Sequence, residues 1–399
     1  MVFPSSKPVH ARHRDGARGR YDQGKAPLWV RGRLSLHSVR NLTIFRVAGA
    51  LFGLFLLLVP PFAQAAPVRI ATYGSDLGRF GPGILLSDLE RGKNNEIAAL
   101  IEVLVRLDAD ILLLTDIDYD ARGQALAALG LSLETRGLAY PYRLALRPNS
   151  GAPTGLDLNG DGALGTADDA MGFGRFAGAE GMALLSRYPI DVDRVRDFTT
   201  FLWRDLPGNL MPPTEPGAAL IQRLSSTGHW DVPILLPKGQ KLHILAFAAT
   251  PPVFDGPEDR NGRRNHDEAA FWLAYLAGKL PDPPPDGPLI VLGNSNLDPV
   301  DGEGRSGALM ALLSHIRLQD PRPKGTSGRI GKNDRGDPAL DTAFFDTGAG
   351  GLRVDIVLPS RDLKITASGV LWPPESDPLA ATLSLASRHR PVWIDVELP

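Results

Sequence analysis

The alternation of short apolar runs with amphipathic segments from Val68 onward constrains the fold of this chain more than any other feature. Val68–Tyr73 and Ile111–Leu114 have the length of buried strands, and Asn95–Leu107 carries apolar residues at helical spacing. Further strands are predicted at Ala183–Leu185, Leu242–Ala248, Leu289–Leu292, Val354–Leu358 and Val392–Val396, and helices at His266–Leu280 (N-cap Asn265) and Ala308–His315. No linker or repeat interrupts this pattern. We therefore predict one α/β domain over residues 66–399, a four-layer sandwich of two packed mixed β-sheets flanked by helices.

The first 65 residues differ from the rest in charge and hydropathy. Residues 1–46 hold ten Lys and Arg against two Asp, and the thirteen residues Val47–Val59 are uncharged. Such a run is short for a hydrocarbon core about 30 Å thick, and Ala63-Gln64-Ala65 resembles a cleavage site. We predict a basic leader at 1–46, disordered or the product of a mis-assigned start codon. A signal peptide at 47–65 would direct export to the periplasm or the exterior, leaving no stable membrane span. An uncleaved anchor is the alternative.

Composition excludes several classes of function. Residues 66–399 contain 33 basic and 43 acidic residues, a net charge of −10 that argues against general nucleic-acid binding. The absence of cysteine excludes disulfides, thiol nucleophiles and Cys-ligated zinc. The 43 glycines and 35 prolines cluster between the predicted elements. Long loops over an α/β core are therefore the expected place for a site.

Five short segments lie in one order along the chain and at predicted strand ends. They are Arg69–Tyr73, Asp110–Asp118, Gly293–Asn296, Arg353–Val357 and Ser387–His389. Together the set resembles the motifs of the endonuclease/exonuclease/phosphatase superfamily. The resemblance implies metal-dependent hydrolysis of phosphoesters. In that chemistry a strand-end carboxylate and an Asn hold Mg²⁺ on a phosphate oxygen, while turn residues activate water.

The resemblance retains four polar positions. Asp116 stands where the family has a metal-binding Glu, one methylene shorter, and Asn296 keeps the second amide of a Gly-Asp-x-Asn turn. His389 keeps the histidine of a Ser-Asp-His turn, and Asp355 resembles the residue that orients it. These four would form a reduced site for Mg²⁺ or Mn²⁺.

Four other family positions are substituted. Gly74 replaces an Asn, Ala248 a catalytic His, Asn294 an Asp and Arg388 an Asp. Losing one general acid or base typically costs about 10²–10⁴-fold in rate, and the Arg388 guanidinium repels a nearby cation. The leading hypothesis is a protein that binds a phosphoester or another anion without efficient turnover. The alternative is an active phosphodiesterase or phosphatase rescued by other carboxylates, for which the candidates are Asp118, Asp120, Asp298 and Asp301.

Residues 157–168 show the spacing of a calcium loop, with Gly162 at its sharp turn. The expected ligands are the side chains of Asp157, Asn159, Asp161 and Asp168 and the carbonyl of Ala163. A loop of Asx turns that holds its own backbone is the alternative. If Ca²⁺ binds here, the chain could instead be a calcium-stabilised interaction module.

A charged loop precedes the helix predicted at His266. Arg260 and Arg263 in it are candidate substrate-binding residues together with Arg388. A salt-bridged network that caps the helix explains the loop equally well. Trp203 and Trp230 are predicted to be packing anchors.

Overall fold

The computed structural model describes residues 67–214, 216–331, 334–346 and 348–398. The predicted leader and signal peptide lie outside the described residues. These residues belong to the unit that spans Gln64–Pro399. Within the described residues, no helix is both long and apolar enough to cross a bilayer.

Thirteen strands and seven helices follow one another in the described part of the chain. The strands are β1 Val68–Leu77, β2 Ile111–Ile117, β3 Tyr142–Leu144, β4 Gly181–Ser186, β5 Arg196–Asp197, β6 Gly228–Leu235, β7 Lys241–Ala248, β8 Leu289–Asn294, β9 Ala343–Phe345, β10 Gly350–Leu352, β11 Asp355–Pro359, β12 Lys364–Val370 and β13 Val392–Glu397. The helices are α1 Ile84–Arg91, α2 Asn95–Leu107, α3 Gln124–Glu134, α4 Pro216–Ile221, α5 Arg260–Leu276, α6 Gly307–Leu313 and α7 Pro378–Ala386.

Two large mixed sheets form the centre of the fold. One has the strand order β12-β13-β1-β2-β4-β3, the other β11-β8-β7-β6-β5, and β9 and β10 form a separate ribbon. Among the strands of the described residues, only β1–β2 and β7–β8 pair in parallel. Because parallel strands end at the same edge, the residues that follow each pair lie side by side.

Three apolar clusters fill the spaces around these sheets. The inner faces of both sheets share one cluster, which includes Ile70, Leu113 and Trp230. Helices α1, α2, α3 and α7 cover the outer face of the six-stranded sheet, and α5 and α6 cover that of the five-stranded sheet. This confirms the predicted four-layer α/β sandwich. Trp203 and Trp230 are fully buried, as predicted for packing anchors.

The predicted start of one helix is wrong. Helix α5 begins at Arg260, not after Asn265, and ends at Leu276. Asn265 lies inside the helix, where its Nδ2 donates to the carbonyls of Thr250 and Ser295 at 2.7 and 2.8 Å. An Asn at this point in the sequence is typical of an N-cap, but these tertiary hydrogen bonds satisfy its amide inside the helix instead.

Candidate functional site

The family positions converge on one edge of the two sheets. Gly74 on β1 pairs beside Thr115, which precedes Asp116 on β2. On the other sheet, Ala248, Asn294 and Asp355 lie in register across β7, β8 and β11. The turn before β13 carries Arg388 and His389 to the same edge, since His389 contacts Asp355. The structure therefore brings together side chains that are up to three hundred residues apart in the sequence.

The best-preserved element of this edge is a buried His–Asp pair. His389 Nδ1 lies 2.8 Å from Asp355 Oδ2. Thr342 Oγ1 donates to the same carboxylate oxygen at 3.0 Å, and it accepts from the backbone N–H of Asp355 at 2.9 Å. Sequence reasoning missed Thr342, since a lone hydroxyl in a loop carries no motif. Asp355 thus holds the ring by its Nδ1, as the resemblance implies.

Neighbouring carboxylates set the charge of His389. Burial by itself would lower the pKa of the imidazole. The charges of Asp355, Asp116 and Asp76 and the hydrogen bond from Asp355 outweigh burial and raise that pKa to about 9. The ring is therefore an imidazolium at neutral pH. A protonated ring donates a hydrogen bond or attracts an anion, and it cannot accept a proton from water.

The imidazole of His389 occupies the space that a side chain at position 74 would need. A Cβ built on Gly74 would lie 2.6 Å from His389 Cγ and 2.9 Å from Nδ1. Real carbon contacts do not come this close, so the family's Asn cannot fit here unless the ring moves.

Arg388 is paired with an acid that the sequence analysis did not single out. Its Nη2 lies 3.2 Å from Asp76 Oδ1, and its backbone N–H donates to Asp76 Oδ2 at 2.9 Å. Ser387 Oγ also donates to that oxygen, at 3.0 Å. Burial opposes the ionised form of Asp76, but Arg388 and His389 hold the pKa below its ordinary value. Asp76 is therefore an ionised partner of Arg388.

Asp116, the candidate metal ligand, is surrounded by other acids. Burial and the nearby charges of Asp76, Glu180 and Asp355 raise its pKa to about 7, while His389 opposes them. Its backbone has a left-handed φ of 56°. In the described part of the chain its carboxylate makes no hydrogen bond. A lone carboxylate of this kind is half protonated near neutral pH.

The polar side chains of the Asn294-Ser295-Asn296 turn are hydrogen-bonded to nearby backbone groups. Asn294 is buried, and its Oδ1 accepts the backbone N–H of Asn296 at 2.6 Å. The side chain of Asn296 donates to the carbonyl of Ala249 at 2.8 Å. Ala248 is buried beside Asn294 and brings no polar atom. The turn keeps its backbone shape but has lost its acid.

These residues do not fit a magnesium or manganese site. Hard cations need several converging oxygen ligands, whereas Asp76 is tied to Arg388 and Asp355 to His389. Among the described residues, no three Asp, Glu, His or Cys side chains come together in a way that could hold a metal ion. Of the acids at this edge, Asp116 and the neighbouring Glu180 are left without an ion pair among the described residues.

The four carboxylates that could replace the missing catalytic groups accept hydrogen bonds from the backbone. They are Asp118, Asp120, Asp298 and Asp301. Asp118 accepts two backbone N–H groups and Asp120 accepts three. Asp298 likewise accepts three and Asp301 two. Carboxylates engaged in this way hold loops in place.

The loop at 157–168 has the sharp turn expected of a calcium loop but a different closing residue. Gly162 has a φ of 82°. Asp157 accepts the backbone N–H groups of Gly160 and Gly162 at 2.7 and 2.8 Å. Asp168 is exposed, while its neighbour Asp169 is buried and accepts the N–H of Leu158. The order of these two acids along the chain could not reveal which one turns inward.

The candidate substrate arginines Arg260 and Arg263, predicted in a loop, lie in the first turn of α5 and contact the protein itself. Arg260 Nη2 donates to Gln222 Oε1 at 2.6 Å. Arg263 Nε donates to the carbonyl of Glu258 at 3.1 Å. Neither arginine forms an ion pair among the described residues, and the N-cap residue Asp259 makes no side-chain cap hydrogen bond, so these contacts do not form the predicted salt-bridged cap.

The fold defines a class: an α/β sandwich of two packed mixed sheets, with polar side chains of both sheets gathered at one edge. The sequence profile of the Endonuclease/Exonuclease/phosphatase family matches residues 83–389. The chain belongs to this family.

Solved structures show the same fold. An endonuclease/exonuclease/phosphatase from Beutenbergia cavernae DSM 12333 is 16% identical with a TM-score of 0.50, and the match covers 84% of this chain and 72% of that one. A family protein from Leptotrichia buccalis C-1013-b is 14% identical with a TM-score of 0.47, over 83% of this chain and 100% of that one. A search of curated proteins found no match.

Proposed function

We propose that this chain is an exported family member that binds a phosphoester or another anionic ligand without efficient metal-dependent hydrolysis. One observation carries the proposal: the imidazole of His389 fills the space of the missing side chain at Gly74. The ring that fills this space is buried and hydrogen-bonded to Asp355 at 2.8 Å.

The remaining charges favour an anion over a cation. Arg388 is 64% exposed at its side chain, so its guanidinium can reach a ligand while Asp76 holds its base. The imidazolium of His389 lies behind it. Arginine binds phosphate and carboxylate groups with two parallel hydrogen bonds. An anion that displaces Asp76 from Arg388 is therefore the expected occupant.

The competing function is a metal-dependent phosphodiesterase or phosphatase with a reduced site. The His389–Asp355 pair at 2.8 Å favours it, because that pair is the part of the family site that survives. If this function is correct, Asp116 would bind the metal and Arg388 would move away from it.

One assay separates the two functions. The full chain is tested on a bis-aryl phosphate, DNA and phospholipid headgroup analogues with Mg²⁺, Mn²⁺ and Ca²⁺. We expect no metal-dependent turnover above the level of the His389→Ala variant. Turnover that disappears in His389→Ala and persists in His315→Ala, a histidine outside the site, would overturn the proposal. A combined Gly74→Asn, Ala248→His, Asn294→Asp and Arg388→Asp variant tests whether the scaffold can still support hydrolysis.

We also propose that the loop at 157–168 binds structural Ca²⁺ through the side chains of Asp157, Asn159, Asp161 and Asp168 and the carbonyl of Ala163. The left-handed turn at Gly162 supports it. Calorimetric titration of the full chain with Ca²⁺ should lose one site in Asp161→Asn and none in Asp193→Asn, an exposed acid elsewhere. Unchanged binding in Asp161→Asn would leave the loop as Asx turns.

Export is tested by the position of the mature N-terminus. Protein recovered from the periplasm or medium should begin just after Ala65. Recovery of the intact chain in the membrane fraction would favour the uncleaved anchor.

A further inference from the structure

A second group of acids lies in the loop that leads to β9, and one of them is buried without a partner. Asp341 is 4% exposed. Within the described ranges its carboxylate makes no hydrogen bond and no ion pair. A buried carboxylate without partners is unfavourable unless a proton or a cation neutralises it.

Asp334 provides a further oxygen without a partner, and its charge acts on the carboxyl of Asp341. Its Oδ2 accepts the backbone N–H of Gly331 at 2.5 Å. Its Oδ1 is buried and has no partner. The Oδ2 atom therefore holds the loop in place, and the Oδ1 atom is available to a ligand.

Glycines make the room in which these two oxygens lie. A Cβ built on Gly351 would lie 1.9 Å from Asp341 Oδ2, and one built on Gly331 would lie 2.3 Å from Asp334 Oδ1. The same Cβ on Gly331 would be 3.0 Å from the backbone nitrogen of Gly351. Both carboxylates thus face one stretch of bare backbone, where a side chain would close the space. We call this space the glycine cradle.

The other acids nearby are already satisfied. Asp298 and Asp301 accept backbone N–H groups, and Asp337 pairs with Lys324 at 2.7 Å. They still add negative potential: burial and the charges of Asp334, Asp298, Asp301 and Asp337 raise the pKa of Asp341 to about 8. Burial and these charges therefore favour either a proton or a bound cation on the Asp341 carboxyl.

We propose that Asp334 and Asp341 bind a hard divalent cation, Ca²⁺, in the glycine cradle. Calcium takes six to eight oxygen ligands and accepts carboxylates, carbonyls and waters in irregular geometry. No three acidic or histidine side chains of the described chain form a ready ligand set, so two carboxylates would be completed by carbonyls and water. Mg²⁺ fits less well because it demands a near-ideal octahedron.

The position of the cradle gives the cation a structural role beside the family site. Asp341 directly precedes Thr342, whose hydroxyl donates to Asp355, the partner of His389. A cation on Asp341 would fix the strand start that positions Thr342. The cradle uses none of the family's metal positions, so the proposal is independent of whether the chain hydrolyses a phosphoester.

The test is a calcium titration of the full chain by calorimetry. The Asp161→Asn variant serves as background, so that the loop at 157–168 does not contribute. We expect about one Ca²⁺ per chain, and binding at least about tenfold weaker after a further Asp341→Asn or Asp334→Asn change. Asp337→Asn, which removes a paired acid of the same cluster, should bind as the background does. Mg²⁺ should bind more weakly than Ca²⁺.

Thermal unfolding supplies a second readout. Ca²⁺ should raise the midpoint of the Asp161→Asn chain but not that of the Asp161→Asn/Asp341→Asn chain. Without Ca²⁺, the Asp341→Asn change should leave the midpoint unchanged or raise it, because it removes a buried charge. A background chain without calcium binding, or calcium binding unaffected by both Asp341→Asn and Asp334→Asn, would overturn the proposal and leave Asp341 as a protonated carboxyl. If Asp341→Asn does not fold, Asp334→Asn decides.

Discussion

Replacing Gly74 by alanine adds one carbon at a point where His389 leaves no room for it. The new Cβ would meet His389 Cγ at 2.6 Å, Cδ2 at 2.9 Å and Nδ1 at 2.9 Å. The ring cannot retreat freely, since it is buried and bound to Asp355 at 2.8 Å. The variant must therefore shift either the ring or the end of β1.

The cost follows from these contacts. Adding a methyl group to a packed interior typically costs about 1–3 kcal/mol in the free energy of unfolding. If the ring also leaves Asp355, the loss of a hydrogen bond to a charged group adds about 1.5–3 kcal/mol. We expect Gly74→Ala to destabilise the chain by about 1–3 kcal/mol if the hydrogen bond survives, and by more if it breaks.

Urea unfolding of the full chain measures this change. Gly217→Ala is the matched control, because Gly217 lies in α4, is exposed, and a Cβ there meets nothing within 4 Å. It should be neutral or stabilising by up to about 1 kcal/mol. A double-mutant cycle isolates the clash: in a His389→Ala background, Gly74→Ala should cost less than about 0.5 kcal/mol.

Two results would refute the reasoning. If Gly74→Ala is as stable as the wild type, the ring does not fill the position as described. If Gly74→Ala is equally harmful in the presence and absence of the imidazole, the cost arises from the backbone of β1 and not from His389. In either case the proposal of binding without turnover would lose the observation that carries it.

Three further predictions concern single side chains. Burial lowers the pKa of His229 from 6.5 to about 4. Folding therefore keeps the ring neutral, and the free energy of unfolding falls as the pH drops from 6.5 towards 4. In His229→Phe, the loss of unfolding free energy over this pH range should be smaller by about 3 kcal/mol. Arg388→Ala should change the free energy of unfolding by less than about 1 kcal/mol in urea, because the guanidinium is 64% exposed and Asp76 keeps its hydrogen bonds from Ser387 Oγ and the backbone N–H of residue 388. Trp203→Phe should cost about 1–3 kcal/mol by the same measurement, since it removes the indole N–H that donates to buried Asp267 at 2.6 Å.

The layers of the fold could be predicted because a buried strand is encoded by a short run of consecutive apolar residues. Runs such as Ile111–Leu114 and Leu289–Leu292 are apolar on both faces, as strands between a second sheet and a helix layer must be. Helix α5 could not be bounded in this way. Its first turns carry Arg264 and Asn265, polar residues that are buried and hydrogen-bonded to distant loops.

Only the site residues that belong to short sequence motifs could be predicted. His389 and Asp355 are named by short motifs, and the structure joins them. Asp76 and Thr342 belong to no motif, and their contacts depend on chain segments that only the fold brings together. Asp76 also has a left-handed φ of 48°, a local conformation that hydrophobic patterning does not encode.

Under the proposed function, the substituted positions Gly74 and Arg388 are each coupled to a neighbouring side chain, and this affects which changes could introduce hydrolysis. The missing side chain at Gly74 is replaced in space by the ring of His389, and the added charge of Arg388 is balanced by Asp76. Restoring Asn at position 74 alone would force the ring out of its place. Restoring Asp at position 388 alone would place a carboxylate against Asp76. Because each position now depends on its partner, single reversions should destabilise the chain without hydrolysis, and only combined changes test whether the fold still supports it.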